Sequence, residues 1–295
     1  MQWLIALVAK LPLGFLQFFG AVVGEITFWV SPGYRRRTRE NLRAAGYTDD
    51  KHLFPRVGRN AGRQAMESAW VWYRPVDTVM KHVHVAPGVE EMIGEAMRSK
   101  QPIVFMTPHV GCFEVLPVWL AATFFEETGR NITILFRPPR KRILQNLVKE
   151  ARQAPGIEAV PTNVTGVKHV IRNLRKGHTF GALPDQVPSN GDGVWANFFG
   201  RPAWTMTLPN RVAKQFDAVR IFAWGIRSGD GWRLEAERWD EPLTGDPAAD
   251  ARAMNRKIEE IIRRMPEQYA WSYNRYKRPA GTPPPESITA EGSAP

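Results

Sequence analysis

The chain has 295 residues, with 40 Lys and Arg against 29 Asp and Glu, so its formal net charge is +11. Apolar residues make up 43% and charged residues 23%, a globular composition that excludes disordered, fibrous and collagen-like chains. The single cysteine excludes a disulfide framework and a cysteine-rich metal site, and favours a reducing compartment. The positive charge predicts an anionic partner: nucleic acid, membrane phospholipid, or an acidic protein or substrate.

The amino-terminal segment is strongly apolar. Residues 1–33 contain only two charged residues, Lys10 and Glu25, and the apolar run 11–30 is about long enough to cross a bilayer. We therefore predict a membrane-anchoring helix that either spans the bilayer or lies in its interface. The alternative is a buried amphipathic helix of a soluble domain. Four arginines follow the run at once, and by the positive-inside rule they place the rest of the protein on the cytoplasmic side.

The rest of the chain alternates between strand-like and helix-like segments, which predicts an α/β fold with a mostly parallel central sheet flanked by helices. Two helices come first, at 37–45 and 55–72. Predicted strands are 102–107, 131–136, 179–183, 218–226 and 232–239, and predicted helices are 113–125, 137–152, 163–176, 205–216 and 248–265. Thr162 or Asn163 is suited to cap the helix that ends at Lys176. Residues 280–295 have no hydrophobic periodicity and are predicted to be a disordered tail.

His109 follows the predicted strand 102–107, at the end of a strand where α/β folds bind ligands, and Glu114 lies five residues further on. On one helix these residues would not share a face. They can meet only if His109 lies in a turn, for which Pro108 and Gly111 are suited. Glu114 would then hold the imidazole Nδ1–H and leave Nε2 as a general base for a hydroxyl. By itself the pattern also fits a strand-end histidine beside a solvated glutamate.

Three other interpretations of single motifs are weaker. Cys112 is a candidate nucleophile for an acyl-enzyme, although a small buried cysteine at a helix start is more common. His82 and His84 would share one face of a strand and could hold a metal, but no third ligand is near in the sequence. The eleven Trp residues lie mostly in apolar periodic segments, which favours core or membrane-interface positions over base stacking in a nucleic-acid site.

The His-x4-Glu pattern after an apolar strand resembles the first block of the glycerolipid acyltransferase superfamily, and in particular its lipid A late acyltransferase branch, the lauroyl and myristoyl transferases of Gram-negative bacteria. Four further stretches resemble blocks of that branch in the same order. They are Leu135-Phe136-Arg137-Pro138, Leu183-Pro184-Asp185-Gln186, Phe198-Phe199-Gly200-Arg201-Pro202-Ala203 and Pro266-Glu267-Gln268-Tyr269-Ala270-Trp271. The resemblance covers about residues 1–279. It implies a glycerolipid-acyltransferase-like fold, with the acyltransferase domain at 34–279 behind an anchor at 1–33.

The resemblance also implies a function: transfer of a fatty acyl chain from acyl carrier protein to a hydroxyl of a lipid A precursor, a phosphorylated glycolipid. This would occur at the cell inner membrane, with the catalytic domain on the cytoplasmic side. His109 and Glu114 would be catalytic. The implied substrate-binding residues are Arg137, Arg152, Asp185 and Gln186. Arg137 would stabilise developing negative charge or bind an acceptor phosphate. The resemblance implies no metal, no other cofactor and no nucleic acid.

Two alternatives stay open at this stage. The first is a lysophospholipid or other glycolipid acyltransferase that uses acyl-CoA or acyl carrier protein. The second is a non-catalytic membrane protein that binds lipid, such as a degenerate relative. The intact His109, Glu114, Arg137 and Asp185 argue against degeneracy.

Overall fold

The computed structural model describes residues 9–48, 50–136 and 154–285. The helices of this part of the chain are α1 (Leu13–Val30), α2 (Pro32–Ala44), α3 (Leu53–Tyr73), α4 (Val76–Met80), α5 (Val89–Arg98), α6 (Val115–Thr128), α7 (Val164–Arg175), α8 (Leu208–Phe216) and α9 (Pro247–Arg264). The strands are β1 (Val83–Val85), β2 (Ile103–Met106), β3 (Ile132–Phe136), β4 (Ile157–Pro161), β5 (Thr179–Ala182), β6 (Gly193–Phe198), β7 (Arg201–Met206), β8 (Val219–Ser228) and β9 (Gly231–Arg238). A short 3-10 turn, Pro266–Gln268, follows α9.

Seven strands form the central sheet, in the order β1-β9-β8-β2-β5-β3-β4. Strands β8, β2, β5, β3 and β4 run parallel to one another. Strand β9 pairs antiparallel with β8, and β1 pairs parallel with β9. Strand β2 therefore lies near the middle of the sheet, between β8 and β5. The predicted α/β fold with a mostly parallel sheet is confirmed.

Both faces of the sheet are buried, which explains the continuous apolar runs of its inner strands. In β2, Val104 and Met106 belong to one core cluster, while Ile103 and Phe105 belong to the other. Helices α7 and α9 contribute to the first cluster, and α5 and α6 contribute to the second. The sheet is therefore a rigid middle layer between two core clusters. The loops after the carboxyl ends of its parallel strands are the expected place for a functional site.

Several boundaries differ from those expected. The segment expected to start a helix at residue 205 instead ends strand β7, which pairs with β6 in a two-stranded hairpin, so α8 begins only at Leu208. Strands β4, β6 and β7 and helices α4 and α5 were not predicted, whereas β1 contains His84, for which a strand was considered. Asn163 caps α7 as expected, because its side chain accepts a hydrogen bond from the backbone N–H of Gly166. The helix predicted at 137–152 and most of the predicted tail lie outside the described residues.

Helix α1 is long and apolar enough to cross a membrane, yet 33% of it is buried against the rest of the protein. It packs on α3 through glycines of both helices, whose backbones touch. A Cβ added at Gly62 would lie 1.9 Å from the carbonyl oxygen of Gly20, and one added at Gly24 would lie 2.2 Å from that of Gly58. The opposite face of α1 exposes large apolar side chains, namely Phe15, Phe18, Phe19, Val22, Val23, Ile26, Trp29 and Val30.

We expect Gly62→Ala to destabilise the packing of α1 on α3. Alanine favours a helix by about 1 kcal/mol over glycine in an exposed position. Here its methyl group would overlap the Gly20 carbonyl, and overpacking of this kind costs about 1–3 kcal/mol or more. Thermal unfolding in detergent should show a lower Tm, and α1 should become more sensitive to limited proteolysis. The matched control is Gly14→Ala on α1, where a Cβ would meet nothing within 4 Å. A Tm for Gly62→Ala at or above the wild-type value would contradict this account.

Candidate active site

His109 and Asp185 form the centre of the candidate site. The Nδ1 atom of His109 lies 2.8 Å from Oδ1 of Asp185, and the backbone N–H of His109 donates to Oδ2 of the same carboxylate at 3.0 Å. The imidazole side chain is 17% exposed, whereas the carboxylate is 1% exposed. One buried carboxylate therefore fixes both the backbone and the ring of His109.

The sheet register explains why these two residues meet. Strands β2 and β5 are parallel neighbours, with Met106 opposite Ala182 at their carboxyl ends. His109 lies three residues beyond Met106, and Asp185 lies three residues beyond Ala182. The two strand-end loops therefore leave the same edge of the sheet side by side.

Gln186 approaches the other ring nitrogen. Its side-chain Nε2 lies 3.3 Å from Nε2 of His109. An amide N–H can only donate, so this contact assigns a lone pair to Nε2 of the imidazole. The carboxylate of Asp185 can only accept, which assigns the proton to Nδ1. The ring is thus held in the tautomer that a general base requires.

Glu114 does not hold Nδ1 of His109, and that expectation is wrong, because Asp185 occupies this nitrogen. The turn after β2 directs the ring toward the loop after β5, while Glu114 is the residue that precedes α6. Glu114 is nonetheless buried and lines a small cavity of about 50 Å³ together with Thr107 and Phe113. The catalytic role predicted for Glu114 therefore stays a prediction.

The turn that carries His109 is held on both sides by backbone contacts. Gly111 has a φ of 57°, in the left-handed region, and a Cβ there would lie 2.1 Å from the carbonyl oxygen of Gly225. Glycine is therefore required on two grounds, conformation and space. The side chain of Gln64 donates to the Gly111 carbonyl at 2.8 Å, and the Gly111 N–H donates to the carbonyl of Gln268 at 2.9 Å. The backbone N–H of Ala270 donates to the His109 carbonyl at 3.1 Å.

A buried polar layer lies behind Asp185. Burial raises the pKa of Asp185, but its interactions with His109 and the nearby Arg275 outweigh burial, and the pKa is lowered from its usual value. Arg275 is 2% exposed and donates to the Trp204 carbonyl at 2.8 Å. Burial raises the pKa of Tyr269 well above its usual value, and the Asp185 carboxylate raises it further. Asp185 therefore stays ionised while the Tyr269 hydroxyl stays protonated near neutral pH.

An apolar cavity of about 440 Å³ begins beside this site, and Gln186 is part of its wall. The apolar residues that line the cavity are Leu135, Val164, Val167, Phe180, Ala182, Leu183, Val187, Pro188, Met206 and Leu208. Lys168 and Arg211 also line the cavity and are exposed, so they lie at its rim. The geometry provides an unprotonated imidazole nitrogen next to a space for an apolar chain.

The remaining predicted residues are placed as follows. Arg137 and Arg152 lie outside the described residues. Cys112 is fully buried, and burial raises the pKa of its thiol well above the usual value, which disfavours a thiolate nucleophile. His82 and His84 both contact Asp230, an exposed residue. Within the described ranges, no three His, Cys, Asp or Glu side chains are grouped as metal ligands would be.

The carboxyl-terminal segment supports the site in ways that its sequence did not indicate. Tyr273 stacks on the His109 ring, with centroids 6.3 Å apart and planes 13° from parallel, and its hydroxyl accepts from the N–H of Val187. Arg275 and Tyr269 surround Asp185 from behind. The stretch 266–271 was recognisable as a motif, but nothing in its sequence indicates that it supports the histidine loop.

Comparisons with known proteins identify the family of this chain. Residues 2–278 match the family described as bacterial lipid A biosynthesis acyltransferase. A lipid A biosynthesis acyltransferase of Haemophilus influenzae is 29% identical over 61% of this chain and 55% of its own length. A lipid A biosynthesis myristoyltransferase of Escherichia coli is 26% identical over the same shares.

The aligned region thus spans only about half the length of those two relatives. A lipid A biosynthesis palmitoleoyltransferase of Escherichia coli is 23% identical over 92% of this chain and 88% of its own length. The family match covers nearly the whole chain, including the apolar amino-terminal helix, the histidine loop and the carboxyl-terminal segment around Tyr269. The chain belongs to the bacterial lipid A biosynthesis acyltransferase family.

Proposed function

We propose that this protein is a membrane-associated acyltransferase that moves a fatty acyl chain from acyl carrier protein to a hydroxyl of a lipid A precursor. The observation that carries this proposal is the arrangement of His109, with Nδ1 fixed by Asp185 and Nε2 directed to the side where Gln186 lines the apolar cavity. Family membership supports the reaction class. The relatives' names, all of lipid A enzymes, support the acceptor.

In the proposed reaction, Nε2 of His109 takes the proton of the acceptor hydroxyl as its oxygen attacks the thioester carbonyl carbon. The carbonyl electrons move to oxygen and form a tetrahedral intermediate. When they return, the carbon–sulfur bond breaks, the thiolate takes the proton from the imidazolium, and an ester and a thiol are released. Asp185 stays ionised and stabilises the imidazolium during this transfer. Arg137 is a candidate for stabilising the oxyanion, and Arg152 for binding an acceptor phosphate.

We infer that α1 lies in the membrane interface. One face of the helix is packed on α3 through the glycine contacts described above, which leaves only the opposite face for lipid. That face exposes Phe18 at 69% and Val30 at 71%, a continuous apolar surface that is costly in water. Arg36 and Arg37 of α2 follow directly and are exposed, where they can contact anionic headgroups. An acceptor that is itself a lipid would then lie close to the protein, and the arginines favour the cytoplasmic side of the inner membrane.

Acyl carrier protein is proposed as the acyl donor because of the charge at the rim of the apolar cavity and the shape of the cavity. Acyl carrier proteins are acidic. Exposed Lys168 and Arg211 line the apolar cavity together with one exposed carboxylate, Asp192, so the charged side chains of its lining have a net positive charge that would attract such a partner. The acyl chain would enter the cavity and leave its thioester near His109.

The test is a reconstituted reaction. The protein, purified in detergent, is given a panel of acyl carrier protein thioesters and a phosphorylated, Kdo-bearing lipid A precursor. Mass spectrometry should show one added acyl chain. If no donor gives a product, the lipid A assignment fails. Turnover with lysophospholipids and acyl-CoA would then establish the lysophospholipid alternative, and no turnover at all would favour a non-catalytic lipid-binding protein.

We expect the size of Val167 to set the preferred acyl chain length. Val167 lies on α7, half-buried, and lines the apolar cavity. A Val167→Trp variant should shorten the cavity, and each methylene that no longer fits should cost about 0.8 kcal/mol, or about fourfold in kcat/KM. A Val167→Ala variant should shift the preference toward longer chains. The measurement is kcat/KM across a series of thioesters, and an unchanged preference in both variants would show that the acyl chain binds elsewhere.

A further inference from the structure

A second cavity, of about 480 Å³, lies where α1, α3 and the carboxyl end of β8 meet. Among the described residues, its walls carry four arginines and one glutamate: Arg56, Arg59, Arg63, Arg227 and Glu267. Three of the arginines come from successive turns of one face of α3, so they point to the same space. Asn60, Gln17 and Gln268 add amide groups to the lining. The cavity is therefore a concentration of hydrogen-bond donors and positive charge.

Three of these arginines have carboxylate partners. Arg59 makes a bidentate pair with Glu25, at 2.6 and 2.9 Å, and Arg56 lies 3.2 Å from Glu267. The guanidinium of Arg227 binds the fully buried carboxylate of Glu67 and also donates to Asn60 at 2.8 Å. These pairs hold the arginines in place and neutralise part of their charge.

Arg63 is different. In the described part of the chain, no carboxylate oxygen lies within 4.0 Å of its guanidinium, which donates to Oδ1 of Asn60 at 3.2 Å. Burial lowers the pKa of Arg63 and the neighbouring positive charge of Arg227 lowers it further, whereas the Glu67 carboxylate raises it. Arg63 is a half-buried cation among like charges, and the Glu67 carboxylate that acts on it is already bound in an ion pair by Arg227. Guanidinium groups in this arrangement suit a phosphate, which accepts several hydrogen bonds at once.

We propose that this cavity binds the phosphate headgroup of an anionic membrane lipid, with Arg63 as its principal ligand. The wall formed by α1 points to a lipid rather than a free ion. Gly14, Gln17 and Phe18 belong to that wall, and Phe18 is 69% exposed on the apolar face of the helix. A headgroup between Arg56 and Arg63 would leave its acyl chains beside this face. The site is separate from the apolar cavity beside Gln186, and the proposal does not depend on acyl transfer.

The experiment measures lipid binding by the full chain in nonionic detergent at physiological salt. Dioleoyl phosphatidic acid in mixed micelles is titrated, with dioleoyl phosphatidylcholine and inorganic phosphate as separate arms, and Kd is obtained by isothermal titration calorimetry. Phosphatidic acid should bind saturably, and Arg63→Gln should raise its Kd about tenfold, which corresponds to one charge-assisted hydrogen-bonded contact. Arg63→Lys should retain part of the affinity.

The matched control is Arg238→Gln, which removes one positive charge from an exposed pair with Asp240, at the end of β9 opposite Ile221 and so far from the cavity. Its Kd should equal that of the wild type. Equal binding of phosphatidic acid by wild type and Arg63→Gln would overturn the proposal, as would equal binding of phosphatidylcholine. If inorganic phosphate binds as tightly as phosphatidic acid, the proposal that the bound phosphate belongs to a lipid is wrong. If Arg63→Gln does not fold by circular dichroism, Arg56→Gln, which is half-exposed, makes the same test.

Discussion

Replacing His109 by alanine should lower the rate of acyl transfer about 10²–10⁴-fold, the usual contribution of a general base. The reason is that no other described side chain offers an unprotonated nitrogen beside the apolar cavity at Gln186. The fold should persist, because the backbone N–H of residue 109 can still donate to Asp185 and its carbonyl can still accept from Ala270. Initial rates at saturating thioester, together with thermal unfolding, measure the two effects separately.

A matched control is His84→Ala. His84 is another histidine that lies near a carboxylate, with Nε2 3.6 Å from Asp230, but its side chain is 58% exposed and it lies on β1 at the opposite edge of the sheet from β4. This variant should retain the wild-type rate. If His109→Ala kept its rate within a factor of about three, general-base catalysis by this residue would be wrong.

Replacing Asp185 by asparagine should reduce the rate by about two orders of magnitude or more. An asparagine side chain can present its N–H₂ group to Nδ1 of His109, which would favour the tautomer with the proton on Nε2. That tautomer cannot accept the proton of the acceptor hydroxyl. The variant also loses the negative charge that stabilises the imidazolium. The effect should appear in kcat rather than in KM, because neither change concerns binding of the acyl chain.

The nitrogen chemical shifts of His109, measured by NMR, distinguish this orienting role from a merely structural one. The wild type and Glu114→Gln should both show the proton on Nδ1, whereas Asp185→Asn should not. A change of tautomer in Glu114→Gln, with none in Asp185→Asn, would restore Glu114 as the orienting carboxylate. The same pair of variants, compared by activity, tests the predicted catalytic role of Glu114 independently of the tautomer.

Stability against acid provides a second check on Asp185. The folded-state pKa of Asp185 is below the value of about 3.9 expected for an unfolded aspartate. Its ionised form therefore contributes stability that is present above about pH 4 and is lost as the pH falls through the lowered folded-state value. The difference in Tm between wild type and Asp185→Asn should accordingly be largest near neutral pH and shrink in acid. A difference that stays constant with pH would contradict the lowered pKa.

Local patterns in the sequence predicted much of the fold. The apolar runs of β2, β3, β5 and β8 are buried on both faces, so their hydrophobicity is continuous and their positions are recognisable without any partner. The cap at Asn163 depends only on residues within one helical turn, and it too was predictable. The hairpin of β6 and β7 was not, because its pairing, not its own sequence, decides that residues 201–206 are extended.

The candidate site shows the same division. Because His109 follows a buried strand, its position in the sequence was enough to identify it as a candidate site residue. Asp185 and Gln186 were identified from the motifs of the family. The three residues are joined by the pairing of β2 with β5, two strands that are about seventy residues apart in the chain, with α6, β3, β4 and α7 among the elements between them. Spacing along the chain favoured Glu114 as the partner of His109 because it is the near carboxylate. The pairing of the strands instead brings Asp185, which is distant in the chain, to Nδ1 of His109.

The sequence by itself determined that this chain is an α/β protein with an apolar amino-terminal helix, a strand-end histidine and a strong positive charge, because each of these depends on composition or on short-range periodicity. Only the tertiary structure decided that Asp185 orients the histidine, that one face of α1 is covered by α3 through glycine contacts, and that Arg63 shares a cavity with Arg227. The physical reason is common to all three. Each depends on groups that the order of the strands or the crossing of the helices brings within a few ångströms of one another. Interactions between neighbours in the chain determine neither the strand order nor the helix crossing.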